Sequence, residues 1–295
     1  MIIFLLTFAI NVAIITYMLF LAECLVGVFP LPRLEEVFAW LNWSYTDINV
    51  ALVIAAWVVV AYISLAFLPP AQWLIRYASG VRKLSDEEYR FLQQSIDMLE
   101  DDGQVDMRPF QWYIARGNRS LNAFALGSNS IVVTEGLLYS FDAQNIAGIL
   151  AHEMGHITHH DTHWGLATYV SDSLGDFVLR LYIMVVNILA WGQMIPFIGL
   201  VFTLMVWLVR LQLFVLQWFV RVPVSFVSRV LNRRSEYAAD RFACEIGFGA
   251  ELHNSLLWIT EGEEELGWWK SLQATHPATR KRLERIRAYV EAHGE

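Results

Sequence analysis

Two stretches of this chain admit almost no charge, and they limit its fold more than anything else in it. From Ile2 to Leu21 nearly every residue is apolar, and "VALVIAAWVVVAYISLAFL", residues 50 to 68, holds no charged residue at all. Each is close to the ~20 residues a helix needs to cross ~30 Å of hydrocarbon. The first has no basic n-region and no A-x-A cleavage site, so it reads as a retained anchor rather than a removed signal. Arg33, Glu35, Glu36 and Asp47 lie between the two runs, while Arg76, Arg82 and Lys83 follow the second. Basic residues favour the cytoplasmic side, which places the short loop outside and the chain after residue 70 in the cytoplasm.

Composition agrees: of 295 residues, 56% are hydrophobic and 17% charged, too apolar for an ordinary soluble domain. The net charge of −8 argues against a nucleic-acid surface, which gathers Lys and Arg on one face. Cys24 and Cys244 form no CxxC spacing, so neither a disulfide framework nor a thiolate metal site is expected and both read as small buried hydrophobes.

Past the second span the periodicity becomes that of a soluble domain. Ser85 and Glu88 have capping-box spacing, and Leu92, Ile96 and Leu99 give residues 84 to 101 an apolar helical face. "QWYIA" (111 to 115), "LNAFALG" (121 to 127) and "SIVVT" (130 to 134) read as strands. Asp142 is placed to cap a helix from Ala143 to about His160. A second apolar region, Phe177 to Val222, is broken by Gly192, Pro196 and Gly199 and reads as a helical hairpin. A helix over 234 to 247 ends at Gly247. A last helix has Pro277 in its first turn and Leu283, Ile286 and Val290 on one face. "EGEEELG" (261 to 267) reads as an exposed acidic loop.

The expected class is α+β and mostly helical: an integral membrane protein with a cytoplasmic domain of active-site helices and a small sheet. The expected divisions are a first span in 1–28, an external loop in 29–49 and a second span in 50–69. A first part of the soluble domain follows in 70–172, a membrane hairpin in 173–222 and a second part in 223–295.

The chemistry sits in "ILAHEMGHITHHD", residues 149 to 161. His152 and His156 are four apart on a helix, so both imidazoles leave the same face and can reach one ion. Zinc accepts imidazole nitrogen, and a catalytic zinc site uses three protein ligands plus water. Glu153, beside the first histidine, is placed to take a proton from that water. The third ligand should come from another helix, and Glu236 with Asp240 one turn later is the best candidate: one carboxylate for the metal, the next to hold a histidine N–H. His159, His160 and His163 read as surface or supporting residues.

Taken together, "HEMGH" (152 to 156), "EYAAD" (236 to 240), "NAFALG" (122 to 127) and "THPATRKRL" (275 to 283) resemble, in order and spacing, the HtpX-like membrane zinc metalloproteases, relatives of the CAAX prenyl proteases. That resemblance implies a zincin-type protease domain with one zinc per chain on His152, His156 and Glu236, and Glu153 as catalytic base. It implies that Asn122, Ala123 and Phe124 belong to an edge strand that holds the substrate backbone. It also implies that His276 steadies the transition state and that Arg282 supports the site, although Ala278 follows Pro277 where the family often has a second proline. The implied activity is peptide-bond hydrolysis in misfolded or damaged membrane proteins at the inner membrane, a quality-control and stress-response task. A CAAX-type prenyl-peptide protease is the nearest alternative, and a membrane-anchored chaperone-like protein without activity is another. The implied partners are unfolded polypeptides and the lipid bilayer, with oligomeric state, self-association included, left open.

Overall fold

Ile2–Val28 forms helix α1 and Ile48–Ala66 forms α2; both are dominated by apolar residues and contain no proline, and Glu23 and Gly27 fall only in the last turns of α1. The computed structural model describes residues 1–28, 48–103, 105–194, 199–216, 218, 222–264 and 280–293. The short loop holding Arg33, Glu35 and Glu36 lies outside them, as do Asp47, His276 and Pro277. The chain divides into two units: Met1–Ala66 with Gly165–Val230, and Phe67–Trp164 with Leu231–Glu295.

After α2 come α3 (Pro69–Ala78), β1 (Val81–Lys83) and α4 (Asp86–Asp101). The capping box of α4 is complete: Glu88 N–H donates to the Ser85 hydroxyl at 3.3 Å, and Ser85 N–H donates to the Glu88 carboxylate at 2.8 Å. Leu92, Ile96 and Leu99 face the core, as their spacing requires. The strands β2 (Gln111–Ala115), β3 (Ala123–Leu126) and β4 (Ser130–Thr134) follow, then the short helix α5 (Glu135–Ser140) and α6 (Ala143–Thr158). The sheet order is β1-β2-β4-β3. β2 and β4 run parallel, while β1 and β3 are antiparallel edges. Sequence patterns located β2, β3 and β4 but not α3, nor β1 and α5, which are too short to show a period.

α6 is capped by Asp142, whose carboxylate accepts the Asn145 N–H at 2.8 Å. Every residue from Ile146 to His156 is buried. Two glycines allow such close packing. A Cβ on Gly148 would run into the backbone of Glu251 and Leu252, and one on Gly155 would lie 2.9 Å from the Cα of Ala239.

The remaining helices are α7 (Asp161–Ala190), α8 (Gly199–Leu216), α9 (Val222–Glu245), α10 (Gly249–Glu264) and α11 (Arg280–His293), with a 3-10 turn at Trp191–Met194 between α7 and α8. The helix that leads into the second apolar region thus begins at Asp161, well before residue 173. Residues 261–264 of the expected acidic loop are instead the end of α10, and 265–267 lie outside the described residues. α9 begins at Val222, before the expected residue 234, and ends at Glu245, two residues short of Gly247, whose φ of 84° favours a residue without a side chain.

Within the first unit, Val12, Ile15, Ala55, Val59, Ile63, Ala167, Val170 and Leu174 form the core. α1, α2 and the stretch Asp161–Met194 each have the length and apolarity to cross a bilayer. The core of the second unit gathers Leu92, Ile114, Ile131, Leu137, Leu150, Met154, Leu252 and Ile286 around α6. Cys244 is a buried free cysteine there.

Candidate metal centre

The contact between Gly155 and Ala239 brings α9 against α6 and puts Glu236 opposite the two histidines. His152 Nε2 lies 3.5 Å from Glu236 Oε2, and His156 Nε2 lies 3.5 Å from Glu236 Oε1. Ligand atoms of all three residues fall within 4.8 Å of one another, and all three side chains are buried. Three ligands about 2.1 Å from one tetrahedral ion stand about 3.4 Å apart, so this donor set fits a metal of that coordination.

Each imidazole is aimed from behind by a carboxylate. His152 Nδ1 is 3.0 Å from Asp240 Oδ1, and His156 Nδ1 is 3.3 Å from Asp161 Oδ2. Both contacts leave Nε2 turned toward Glu236, the arrangement by which outer carboxylates fix a histidine ligand's tautomer and orientation. Asp240 was legible in the sequence; Asp161 was not. It lies beyond the end of α6, and His160, at φ 60°, turns the chain so that Asp161 comes back under His156. A non-glycine residue in that left-handed region is uncommon and is the only one among the described residues. His159 turns its Nδ1 to the Gly155 carbonyl at 2.8 Å, away from the centre.

Arg282, only 2% exposed, reaches in from α11. Its guanidinium meets Asp240 through two bonds of 2.8 and 2.6 Å, and Nη1 lies 2.8 Å from Glu236 Oε2. It also lies 3.4 Å from His152 Nε2. The packing of Arg285 over the Tyr237 ring, 4.1 Å from its centroid, holds α11 to α9. Burial pushes the Asp240 carboxyl up, but His152 and Arg282 outweigh it and hold the group below its ordinary value. Burial likewise opposes charge on His156, yet the carboxylates of Asp161, Glu236 and Glu153 push it up to about 10. The carboxylates around His156 thus surround the ring with negative charge, and a metal ion there competes with a proton.

Glu153 is 2% exposed, and its Oε2 accepts the N–H of Ala125 at 2.9 Å. Its carboxylate is thereby held beside edge strand β3. The start of that strand is fixed by the buried Thr134, whose hydroxyl lies 2.6 Å from the Ser120 carbonyl and 2.7 Å from that of Asn122. Asn122 N–H donates to the same hydroxyl at 3.2 Å, and Thr134 N–H donates to the Asn122 carbonyl at 3.0 Å. The backbone of Asn122 therefore faces β4.

Comparisons with known proteins agree with this geometry. Residues 86–290 match the model of peptidase family M48. The Protease HtpX homolog of Acidiphilium cryptum is 26% identical over 268 residues, covering 77% of this chain and 86% of that protein. Protease HtpX of Shewanella pealeana is 24% identical over 261 residues, 78% of this chain and 84% of that protein. Protease HtpX of Legionella pneumophila matches over 178 residues at 26% identity, 55% of each chain. With a buried His-His-Glu set in one unit and bilayer-length apolar helices in the other, the chain belongs to peptidase family M48 and is an HtpX-like, membrane-bound metalloprotease.

Proposed function

We propose that the centre hydrolyses peptide bonds with one zinc ion on His152, His156 and Glu236, facing the cytoplasm from the inner membrane, and that its substrates are misfolded or damaged membrane proteins. The observation that carries this reading is the convergence of both Nε2 atoms on Glu236, with Glu153 alongside. Zinc supplies a Lewis acid there, polarising the scissile carbonyl and acidifying water.

Glu153 takes the proton of the attacking water and returns it to the leaving amine. Its bond to Ala125 N–H keeps the carboxylate between the ligands and the substrate strand. β3 is an outer strand of the sheet, with Ala123 buried and Phe124 to Leu126 part-exposed. A residue's N–H and C=O point to the same side of a strand and alternate along it. Since Ala125 N–H turns away from β4, so does the backbone of Ala123, while Asn122 and Phe124 turn toward it. Substrate therefore adds as a strand along the outer edge of β3, where Ala125 is part-exposed beside Glu153. Asn122 fixes the position of β3 rather than pairing with substrate. Arg282 is a positioning residue, holding Asp240 behind His152 and fixing the ligand Glu236. His276 donates to the developing oxyanion, a role that rests on the resemblance. Arg76, Arg82 and Lys83 after α2 support the cytoplasmic side, and two membrane anchors keep the protease near membrane-protein substrates.

The test is zinc content and casein cleavage by the detergent-solubilised full chain, wild type beside Glu153→Gln and Glu236→Ala. The wild type should carry about one zinc and cut casein. Glu153→Gln should keep the metal and lose roughly 10²- to 10⁴-fold in rate, and Glu236→Ala should bind zinc weakly. Glu153→Gln that still cleaves at the wild-type rate would remove the base from the mechanism. Preference for a farnesylated peptide over its unlipidated twin would move the substrate class to prenyl peptides.

A further inference from the structure

Helix α3 is amphipathic the wrong way round for a helix in water. Its outward residues, Pro70, Trp73, Leu74 and Tyr77, follow the i, i+3, i+4, i+7 spacing of a single helical stripe. Trp73 is 61% exposed, Leu74 57% and Tyr77 71%. The Trp73 and Tyr77 rings stack with centroids 5.5 Å apart, so the stripe is continuous.

The inward face is the polar one. Gln72 is buried against Gly127, where a Cβ would run into its carboxamide. The guanidinium of Arg76 lies 5.3 Å from the centroid of the Tyr113 ring on β2. Protein already occupies the polar side, and the apolar side is offered outward. Contiguous exposed apolar surface of this kind marks a contact with a partner or a membrane.

Chain connectivity identifies the occupant. α2 ends at Ala66 and α3 begins at Pro69, so by the ~3.8 Å spacing of consecutive Cα atoms the first turn of α3 lies within about 11 Å of the end of the span. The two residues between, Phe67 and Leu68, are apolar and exposed by 37% and 50%. A helix tethered this closely to a span, with Trp and Tyr on its outer face, meets the headgroup region where amphipathic aromatic rings are most at home. We propose that α3 is an interfacial helix that seats Trp73, Leu74 and Tyr77 in the boundary between lipid headgroups and acyl chains. Gly127 directly follows β3, so the helix that meets lipid also braces the end of the candidate substrate strand.

The experiment places an NBD fluorophore at Trp73→Cys or Tyr77→Cys in the full chain carrying Cys24→Ser and Cys244→Ser, reconstituted in phosphatidylcholine nanodiscs with or without a shallow doxyl-labelled lipid. Arg108→Cys, in an exposed charged turn with Asp106, is the control. The seated helix requires several-fold stronger doxyl quenching at 73 and 77 than at 108, with little quenching by aqueous iodide. Quenching by doxyl lipid no greater than at 108 overturns the proposal. If iodide also fails at 73 and 77 in that case, the stripe is covered by protein. Each labelled variant is checked for retained casein cleavage, since none of these positions belongs to the catalytic centre. Should Trp73→Cys fail to fold, Leu74→Cys reads the same face.

Discussion

Among the described residues of the unit that holds α1 and α2, Asn11 and Ser171 form a buried polar contact between helices. Asn11 Nδ2 donates to the Ser171 carbonyl at 2.9 Å and to its hydroxyl at 2.8 Å. Gly175 leaves the room, since a Cβ there would run into the Asn11 carboxamide. Thr7 and Thr16 bond carbonyls of their own helix. In the unit that holds the candidate metal centre, His152, His156, Glu236, Asp240 and Arg282 are buried and joined by contacts of 2.6 to 3.5 Å, with Glu153 buried too. The first arrangement pins two helices within an apolar bundle; the second concentrates charge that only mutual contact makes tolerable. What differs is the consequence of losing one member. A neutral pair in lipid leaves a group that still finds partners nearby, whereas a buried ionic cluster leaves an uncompensated charge.

Arg282→Met should destabilise the protease unit by about 3–5 kcal/mol, because Asp240 and Glu236 stay buried without their cation. Denaturant unfolding of the solubilised protein measures it, and a loss below about 1 kcal/mol would mean that the cluster is not held by this arginine. Asp161→Ala should weaken metal affinity roughly 10- to 100-fold, the usual cost of removing an outer carboxylate from a histidine ligand. Chelator competition gives the number, and an unchanged affinity would detach Asp161 from the site. Asn11→Leu should cost only about 0.6–1.7 kcal/mol. Reversible unfolding in mixed micelles reports it, and a cost as large as that of Arg282→Met would erase the distinction between the units.

The smallest effect lies at the start of α4. The side-chain bond from Arg82 and the backbone and hydroxyl of Ser85 outweigh burial and bring Glu88 down to about 2. Its pKa is depressed on folding, so its stabilising contribution is full above the ordinary carboxyl value near 4.5 and is lost as pH falls toward 2. Thermal unfolding between pH 5 and pH 2 should decline less steeply in Glu88→Gln than in the wild type. Parallel slopes would show that this capping pair contributes no pH dependence.

Much of the fold was legible where one local rule governs a whole element. The spans announced themselves by length without charge. Ser85 with Glu88, Asp142 and Gly247 marked helix ends that the structure keeps, and β2 and β4 match their predicted ranges residue for residue. The places that escaped were short or depended on distant neighbours. Asp161 carried no signal because its value comes from the left-handed turn at His160. Gly155 reads in sequence as one more residue of the histidine motif, yet its missing side chain lets Ala239 approach.

By itself the sequence determined that two runs are helices able to cross a bilayer and that His152 and His156 share a helix face beside Glu153. Those properties follow from backbone periodicity and from the solubility of consecutive side chains, which act over a few residues. Only the tertiary structure decided that both Nε2 atoms turn toward Glu236, that Arg282 closes the cluster from behind, and that Asn122 turns its backbone inward while Ala125 N–H meets Glu153. It also decided that α3 presents its apolar stripe outward, since its pattern alone would suit a helix packed on a core. Which face of an element is buried, and which nitrogen of a ring is free, is set by close packing between segments far apart in the chain.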